Sequence, residues 1–165
     1  MVDFLVATIQ RALAIPMKRH SRPLVGFLSR EVLGRLLESE HYRVIFARTG
    51  REAAARFVAD PPDLVLLDLN MPDRDGWAAF RVMNVAHPML PVIVITARPN
   101  QYPQATESGV DAFMEKPLDP AILLGAIRKL LAETEAERMR RLIDPEFQTA
   151  FLNHDRNPPP TGTNR

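Results

Sequence analysis

Two short segments without a single polar residue constrain the fold of this chain more than any other feature: Leu64–Leu67 and Val92–Ile95. This pattern is typical of strands that are buried on both faces, and such strands occur in parallel sheets covered by helices. Other segments have the apolar spacing of helices, as at residues 30–40 and 120–131. The alternation of strands and helices predicts an α/β fold with a doubly wound five-stranded parallel sheet and helices on both faces.

Turn and breaker residues separate the predicted elements from one another. We predict strands at residues 24–28, 42–47, 64–67, 92–95 and 112–114. We predict helices at residues 30–40, 51–59, 77–86 and 103–108. A further helix is expected to begin at Pro120, with Asp119 as its N-cap.

Composition excludes several classes of function. The 165 residues include no cysteine, so disulfides, thiolate metal sites and cysteine nucleophiles are excluded. The four histidines are far apart, which makes a histidine metal site unexpected. Lys and Arg number 21 against 20 Asp and Glu, so we expect neither nucleic acid nor a membrane as partner. With no membrane span or secretory signal in the sequence, we expect a cytoplasmic protein.

Three polar side chains stand at the ends of predicted strands. Asp68 follows Leu64–Leu67, Thr96 follows Val92–Ile95, and Lys116 follows Ala112–Glu115. Each residue alone has an ordinary structural role, as a turn former, a backbone hydrogen-bond partner or a solvated cation. Because ligands of such folds bind at the carboxyl ends of the strands, their joint occurrence favours a functional site.

These residues lie in three longer runs, Asp63–Gly76, Val92–Ala97 and Gly109–Pro117. The runs read Asp-Leu-Val-Leu-Leu-Asp-Leu-Asn-Met-Pro-Asp-Arg-Asp-Gly, Val-Ile-Val-Ile-Thr-Ala and Gly-Val-Asp-Ala-Phe-Met-Glu-Lys-Pro. Together they resemble the receiver domains of two-component response regulators, which have the CheY-like form of the flavodoxin-like fold. The resemblance covers about residues 30–132.

The resemblance implies roles for the three strand-end residues. Asp68 would be the phosphoacceptor, taking a phosphoryl group from a histidine kinase or phosphotransfer protein. Lys116 would pair with the phosphoryl oxygens, and Thr96 would donate its hydroxyl to another of them. This chemistry needs such residue types, since attack of a carboxylate on a phosphoryl group joins two anions and depends on positioning and charge neutralisation.

The resemblance also implies four supporting features. Phe113 matches the aromatic switch position, whose ring turns inward when the threonine moves. Asn70 would offer its backbone carbonyl to a Mg²⁺ ion held with Asp68. The Lys116–Pro117 peptide bond would be cis, which is inexpensive before proline. Signalling would proceed through contact with a downstream protein or through a homodimer.

One part of the family pattern is missing. Receiver domains have an acidic pair after the first strand, whereas this chain has no acid between Asp3 and Glu31. Mg²⁺ would then be held weakly, and Asp73 and Asp75 match loop positions. Three explanations stay open: a degenerate pseudo-receiver that binds partners independently of phosphorylation, slow phosphorylation with weak metal help, or a shifted reading frame across residues 1–29.

The predicted organisation has three parts. Residues 1–22 form an N-terminal extension of uncertain structure, an added helix or a mobile arm. Residues 23–132 form the receiver domain. Residues 133–165 continue as a charged helical extension or a small docking face, a short helix through Phe147 and Phe151, and a disordered tail. We expect a stand-alone receiver, because residues 133–165 are too few for an output domain. We do not expect an enzyme, because a hydrolase elbow and a phosphate-binding glycine loop are absent from the sequence.

Overall fold

The structure is a computed structural model and describes residues 6–11, 30–47, 52, 53, 55, 57, 60–70 and 76–153. Its strands are β1 (Val6–Arg11), β2 (Tyr42–Ala47), β3 (Leu64–Asp68), β4 (Val92–Thr96), β5 (Ala112–Glu115) and β6 (Ala150–Phe151). Its helices are α1 (Arg30–Ser39), α2 (Gly76–Ala86), α3 (Tyr102–Ser108), α4 (Pro120–Ala132) and α5 (Glu135–Ile143). Residues 52, 53, 55 and 57, between β2 and β3, are also helical.

The strands form one sheet in the order β2-β1-β3-β4-β5-β6. Strands β3, β4, β5 and β6 pair in parallel, as predicted for the core of the sheet. Strand β1 instead runs antiparallel to both of its neighbours, β2 and β3. The predicted parallel sheet is therefore confirmed, and it differs in two details: a sixth strand, β6, is present, and β1 is reversed.

The reversed strand lies in the segment for which the sequence predicted a helix or a mobile arm. Val6 pairs with Leu67 and Ile9 with Leu64, so the segment occupies the place beside β3. Its Val, Thr and Ile side chains suit a strand. The spacing of apolar residues is the same in both chain directions. This spacing alone therefore does not determine whether a strand is parallel or antiparallel to its neighbours. The strand predicted at residues 24–28 lies outside the described residues.

Two hydrophobic cores cover the two faces of the sheet. Every residue of β3 and β4 is buried, which confirms the prediction drawn from the two apolar runs. On one face, Val65, Leu67, Val94 and Phe113 pack with Trp77, Phe80 and Tyr102. On the other, Leu64, Leu66, Ile93 and Ile95 pack with Leu33, Leu37, Leu123 and Ile127. The doubly wound α/β architecture is thus confirmed, and none of the helices in the described ranges combines the length and hydrophobicity needed to cross a bilayer.

The C-terminal part of the chain differs from its prediction. Asp119 caps α4 as expected, because its Oδ1 accepts hydrogen bonds from the amides of Ala121 and Ile122. Helix α4 ends at its C-cap, Glu133, whose backbone is extended. Helix α5 then begins as a separate helix after its N-cap, Thr134. The helix predicted through Phe147 and Phe151 is wrong, since residues 150–151 form β6. Pairing with the open edge of β5 offers this segment backbone partners that the sequence pattern alone does not show.

Candidate functional site

The topology brings the three strand-end residues to one edge of the sheet. Asp68 is the last residue of β3 and Thr96 the last of β4, while Lys116 directly follows β5. In the parallel register Asp68 lies beside Ile95, and Thr96 lies beside Glu115. The carboxylate, the hydroxyl and the ammonium therefore stand at neighbouring positions along the carboxyl edge, as the alternating pattern predicted.

Asp68 and Lys116 are in direct contact. The Nζ atom of Lys116 donates to Oδ2 of Asp68 at 2.5 Å, and the two side chains are 23% and 8% exposed. The other carboxylate oxygen, Oδ1, accepts a hydrogen bond from the backbone amide of Asn70 at 2.9 Å. A charge-assisted bond of this kind holds a carboxylate in one orientation at the surface of the core. Asp68 is therefore a fixed anion with a cation beside it.

Thr96 lies next to this pair and is fully buried. Its Oγ1 accepts a hydrogen bond from the amide of Arg98 at 3.0 Å and lies 3.5 Å from Oδ1 of Asn70. The second distance is at the long limit for a hydrogen bond. The hydroxyl proton is therefore weakly held and could be redirected toward a stronger acceptor.

The backbone at the site connects these residues through main-chain bonds. The amide of Lys116 donates to the carbonyl of Thr96 at 2.8 Å, and the amide of Leu69 donates to the carbonyl of Ile95 at 3.1 Å. The peptide bond between Lys116 and Pro117 is cis. The position of the Lys116 side chain is thus tied to the ends of both β4 and β5.

Phe113 is fully buried in β5, three residues before Lys116. Its ring packs against Tyr102, with centroids 5.8 Å apart, and stacks on Phe151 at 6.1 Å. Sequence reasoning did not include Tyr102 and Phe151 in the site. The sequence signal for Phe151 is the short strand-like run from Thr149 to Leu152, a segment that was predicted to be helical.

The described residues do not form a complete magnesium site. Both oxygens of Asp68 already accept hydrogen bonds, Oδ1 from the amide of Asn70 and Oδ2 from Nζ of Lys116. Within the described ranges, no three Asp, Glu, His or Cys side chains lie together in a way that could hold a metal ion. Mg²⁺ in proteins is bound by one or two carboxylates together with waters and phosphate oxygens. Asp73 and Asp75 lie outside the described residues.

Comparison with known proteins agrees with this geometry. Residues 27–128 match the model of the response regulator receiver domain. The chain is 36% identical over 107 residues to the response regulator MprA of Mycolicibacterium vanbaalenii. The aligned segment covers 64% of this chain and 46% of MprA. It is 35% identical over 119 residues to the transcriptional regulatory protein GlrR of Escherichia coli K12, covering 68% of this chain and 27% of GlrR. The chain thus spans less than half of the length of each of these two relatives.

Solved structures show the same relationship. The signal receiver domain of a signal transduction histidine kinase from Syntrophus aciditrophicus is similar with a TM-score of 0.56 and 32% identity, covering 62% of this chain and 80% of that one. The receiver domain of NtrX from Brucella abortus is similar with a TM-score of 0.59 and 27% identity, covering 64% of this chain and 91% of that one. The chain belongs to the response regulator receiver domain family of two-component signalling.

Proposed function

We propose that this chain accepts a phosphoryl group on Asp68 from the phosphohistidine of a histidine kinase or phosphotransfer protein. The observation that carries the proposal is the 2.5 Å contact between Lys116 Nζ and Asp68 Oδ2. It places a cation where the transferred group would bring its negative oxygens. Membership in the receiver family supports the same reaction.

The transfer needs little covalent machinery from the protein. An oxygen of the Asp68 carboxylate attacks phosphorus, a P–O bond forms, and the P–N bond of phosphohistidine breaks with its electron pair remaining on the imidazole. The protein's part is to position the carboxylate and to neutralise oxygen charge. The Asn70 amide fixes Oδ1 at 2.9 Å, and Lys116 supplies the positive charge.

The acyl phosphate then changes the charge distribution at the site. A phosphoryl group carries about −1.5 to −2 charge and strong acceptor oxygens. Lys116 and the weakly held hydroxyl of Thr96 are the donors placed to bind them. We propose that the altered site is read by a downstream protein through a surface next to Thr96 and Phe113.

A second candidate is a pseudo-receiver that binds its partner independently of phosphorylation. The observation that favours it lies in the sequence, which has no acidic residue between Asp3 and Glu31. Under the first function, Mg²⁺ is a weakly bound cofactor, with Asp68 as one of its ligands. Under the second, no phosphoryl group is accepted at all, and the protein acts only through its surface.

Intact-mass measurement after incubation with a small acyl or amido phosphate donor and Mg²⁺ separates the two functions. The phosphoryl-accepting function predicts a mass increase of one phosphoryl group that is lost in Asp68→Asn. Asp63→Asn is the matched control, because Asp63 is an exposed carboxylate that immediately precedes the same strand. No mass increase in the wild-type chain, or an equal increase in Asp68→Asn, would contradict phosphorylation at Asp68.

A further inference from the structure

Residues Thr149–Asn153 form a strap along the outer edge of β5. The amide of Ala150 donates to the carbonyl of Asp111 at 3.1 Å, and the amide of Leu152 donates to the carbonyl of Phe113 at 2.8 Å. The Asn153 side chain continues the ladder, because its Oδ1 accepts from the amide of Glu115 at 3.0 Å. The strap therefore occupies the backbone groups through which this edge could pair with anything else.

The strap also covers the aromatic ring of Phe113. Phe151 stacks on Phe113 with an interplanar angle of 20° and meets Tyr102 edge-on at 5.0 Å. The hydroxyl of Tyr102 donates to the carbonyl of Thr149 at 2.8 Å. The ring of Phe113 consequently cannot leave its buried position without breaking its stacking contact with the strap.

A single peptide unit joins the strap to the proposed phosphorylation site. This unit consists of the carbonyl of Glu115 and the amide of Lys116. Its carbonyl accepts a hydrogen bond from Asn153 Nδ2 at 3.3 Å, and its amide donates to the carbonyl of Thr96 at 2.8 Å. A displacement of Lys116 therefore acts directly on the bond that holds the end of the strap.

The segment before the strap is anchored separately. Arg138 of α5 is buried and makes two hydrogen bonds to Asp111, at 2.7 and 3.1 Å. Arg141 bonds to Asp111 and to Glu133, both at 2.7 Å. Between this anchor and the strap lie the residues 144–148, most of them exposed, with a proline at position 145. The strap is therefore joined to α5 by an exposed connection, and residues 150–153 can open while α5 stays in place.

We propose that the strap is a cover of the β5 edge that is closed while Asp68 is unmodified and released when Asp68 carries a phosphoryl group. The proposal rests on the function proposed above. Formation of the acyl phosphate, a mixed anhydride, removes the negative charge from the carboxylate that Lys116 contacts, and the charge reappears on the more distant phosphoryl oxygens. Lys116 moves outward to follow it, which disturbs the shared peptide unit and the long bond to Asn153.

The release would expose the backbone edge of β5 and free the ring of Phe113 from its stacking contact with Phe151. The strap is held by its two backbone bonds to β5, by the Asn153 side chain, and by buried Thr149, whose Oγ1 donates to the carbonyls of Val110 and Ala105 at 2.8 and 3.3 Å. The bonds at the Asn153 end lie next to Lys116, so this end opens first while Thr149 stays in place. The state of one carboxylate at the end of β3 would thus decide whether the far edge of the sheet is accessible.

Hydrogen–deuterium exchange of the full chain tests this proposal, with the extent of phosphorylation measured by intact mass in the same sample. Phosphorylation is expected to accelerate exchange of the amides of Ala150, Leu152 and Glu115 by about tenfold, as for loss of one or two hydrogen bonds. Asn153→Ala is expected to show the acceleration without the phosphate donor. Gln148→Ala, an exposed position just before the strap, is the control and stays at the wild-type rate.

A second arm does not depend on phosphorylation. Lys116→Met breaks the contact with Asp68 and is expected to accelerate strap exchange several-fold in the absence of any donor, while α5 keeps its protection. Unchanged or slower strap exchange in a sample that carries the phosphoryl group would overturn the proposal. So would unchanged exchange in Lys116→Met, whereas a missing mass increase counts against the proposed function alone.

Discussion

The ammonium of Lys116 lies 2.5 Å from Oδ2 of Asp68, although 48 positions separate the two residues in the chain. The contact exists because β3 and β5 are both parallel to β4 and end at the same edge of the sheet. It joins a nearly buried carboxylate to a cation that is partly open to solvent. The proposed chemistry and the proposed control of the strap both depend on this pair.

Removal of the cation should lower the stability of the fold. Lys116→Met leaves the carboxylate of Asp68 with the Asn70 amide as its remaining bonding partner among the described residues. We expect the free energy of unfolding to fall by about 1–3 kcal/mol, less than for a fully buried pair because Lys116 is partly solvated. Urea denaturation measures the change. Lys129→Met, an exposed lysine of α4, is the control, and an equal loss in both variants would contradict the account.

The anchor of α5 should contribute more to stability than the phosphorylation site does. Arg138 and Asp111 are 7% and 3% exposed, and Asp111 also accepts from the amide of Val92 at 2.7 Å. Arg138→Ala removes two donors from a buried carboxylate that keeps Arg141 and the Val92 amide, and it also removes the donor to the carbonyl of Met89, so we expect a loss of about 3 kcal/mol in the free energy of unfolding. Arg140→Ala, two residues further along α5 and exposed, should change it by less than about 0.5 kcal/mol. Similar losses in the two variants would rule out the buried anchor.

Two glycines in helices should respond oppositely to substitution by alanine. A Cβ atom at Gly34 would lie 2.8 Å from Cζ of Phe46, whereas one at Gly125 would meet nothing within 4 Å. Gly125→Ala should stabilise the protein by up to about 1 kcal/mol through helix propensity. Gly34→Ala should destabilise it by about 1 kcal/mol, because the crowding of α1 against β2 exceeds that gain. Thermal unfolding distinguishes the two, and a stabilised Gly34→Ala would show that the α1–β2 packing is looser than described.

The sequence could predict those parts of the fold whose residue pattern is compatible with a single kind of local structure. Leu64–Leu67 and Val92–Ile95 can only be buried segments, and Asp119 before Pro120 has the form of a helix start; both predictions are confirmed. The meeting of Asp68 with Lys116 followed from the parallel alternation of strands. The chemical roles of these residues stay predictions.

The parts that sequence could not predict depend on partners far along the chain. The direction of β1 is decided by its pairing with β2 and β3, not by its own apolar residues. Arg138 lies in a segment whose charged composition is typical of a solvated helix, yet it is buried because it bonds to Asp111. Phe151 looks like part of an amphipathic helix until the free edge of β5 and the ring of Phe113 are considered.

The start of α5 should weaken in acid. The backbone amide of Thr134 and then its hydroxyl donate to the Glu137 carboxylate, and these bonds hold the pKa of Glu137 below its ordinary value of 4.5. A lowered pKa in the folded state means that the stabilisation is complete above the ordinary pKa and is lost as the pH falls through the lowered one. Amide exchange of the first turn of α5, followed by NMR as a function of pH, should show this loss.

Glu137→Gln should remove that acid dependence while keeping a side chain that can accept the same bonds. Glu135→Gln, an exposed neighbour in the same turn, should leave it intact. If Glu137→Gln retained the full acid transition of the first turn, the capping arrangement would not be its cause.

Mapping the site of phosphorylation in the 165-residue chain tests most directly whether Asp68 is the phosphoacceptor. The protein is incubated with a small phosphate donor and Mg²⁺, any acyl phosphate is reduced with borohydride, and the labelled peptide is sequenced by mass spectrometry. We expect that the reduced residue is Asp68 and that Asp68→Asn yields no labelled peptide. A label at another aspartate in the wild-type chain, or no label under conditions that phosphorylate an active receiver, would contradict it.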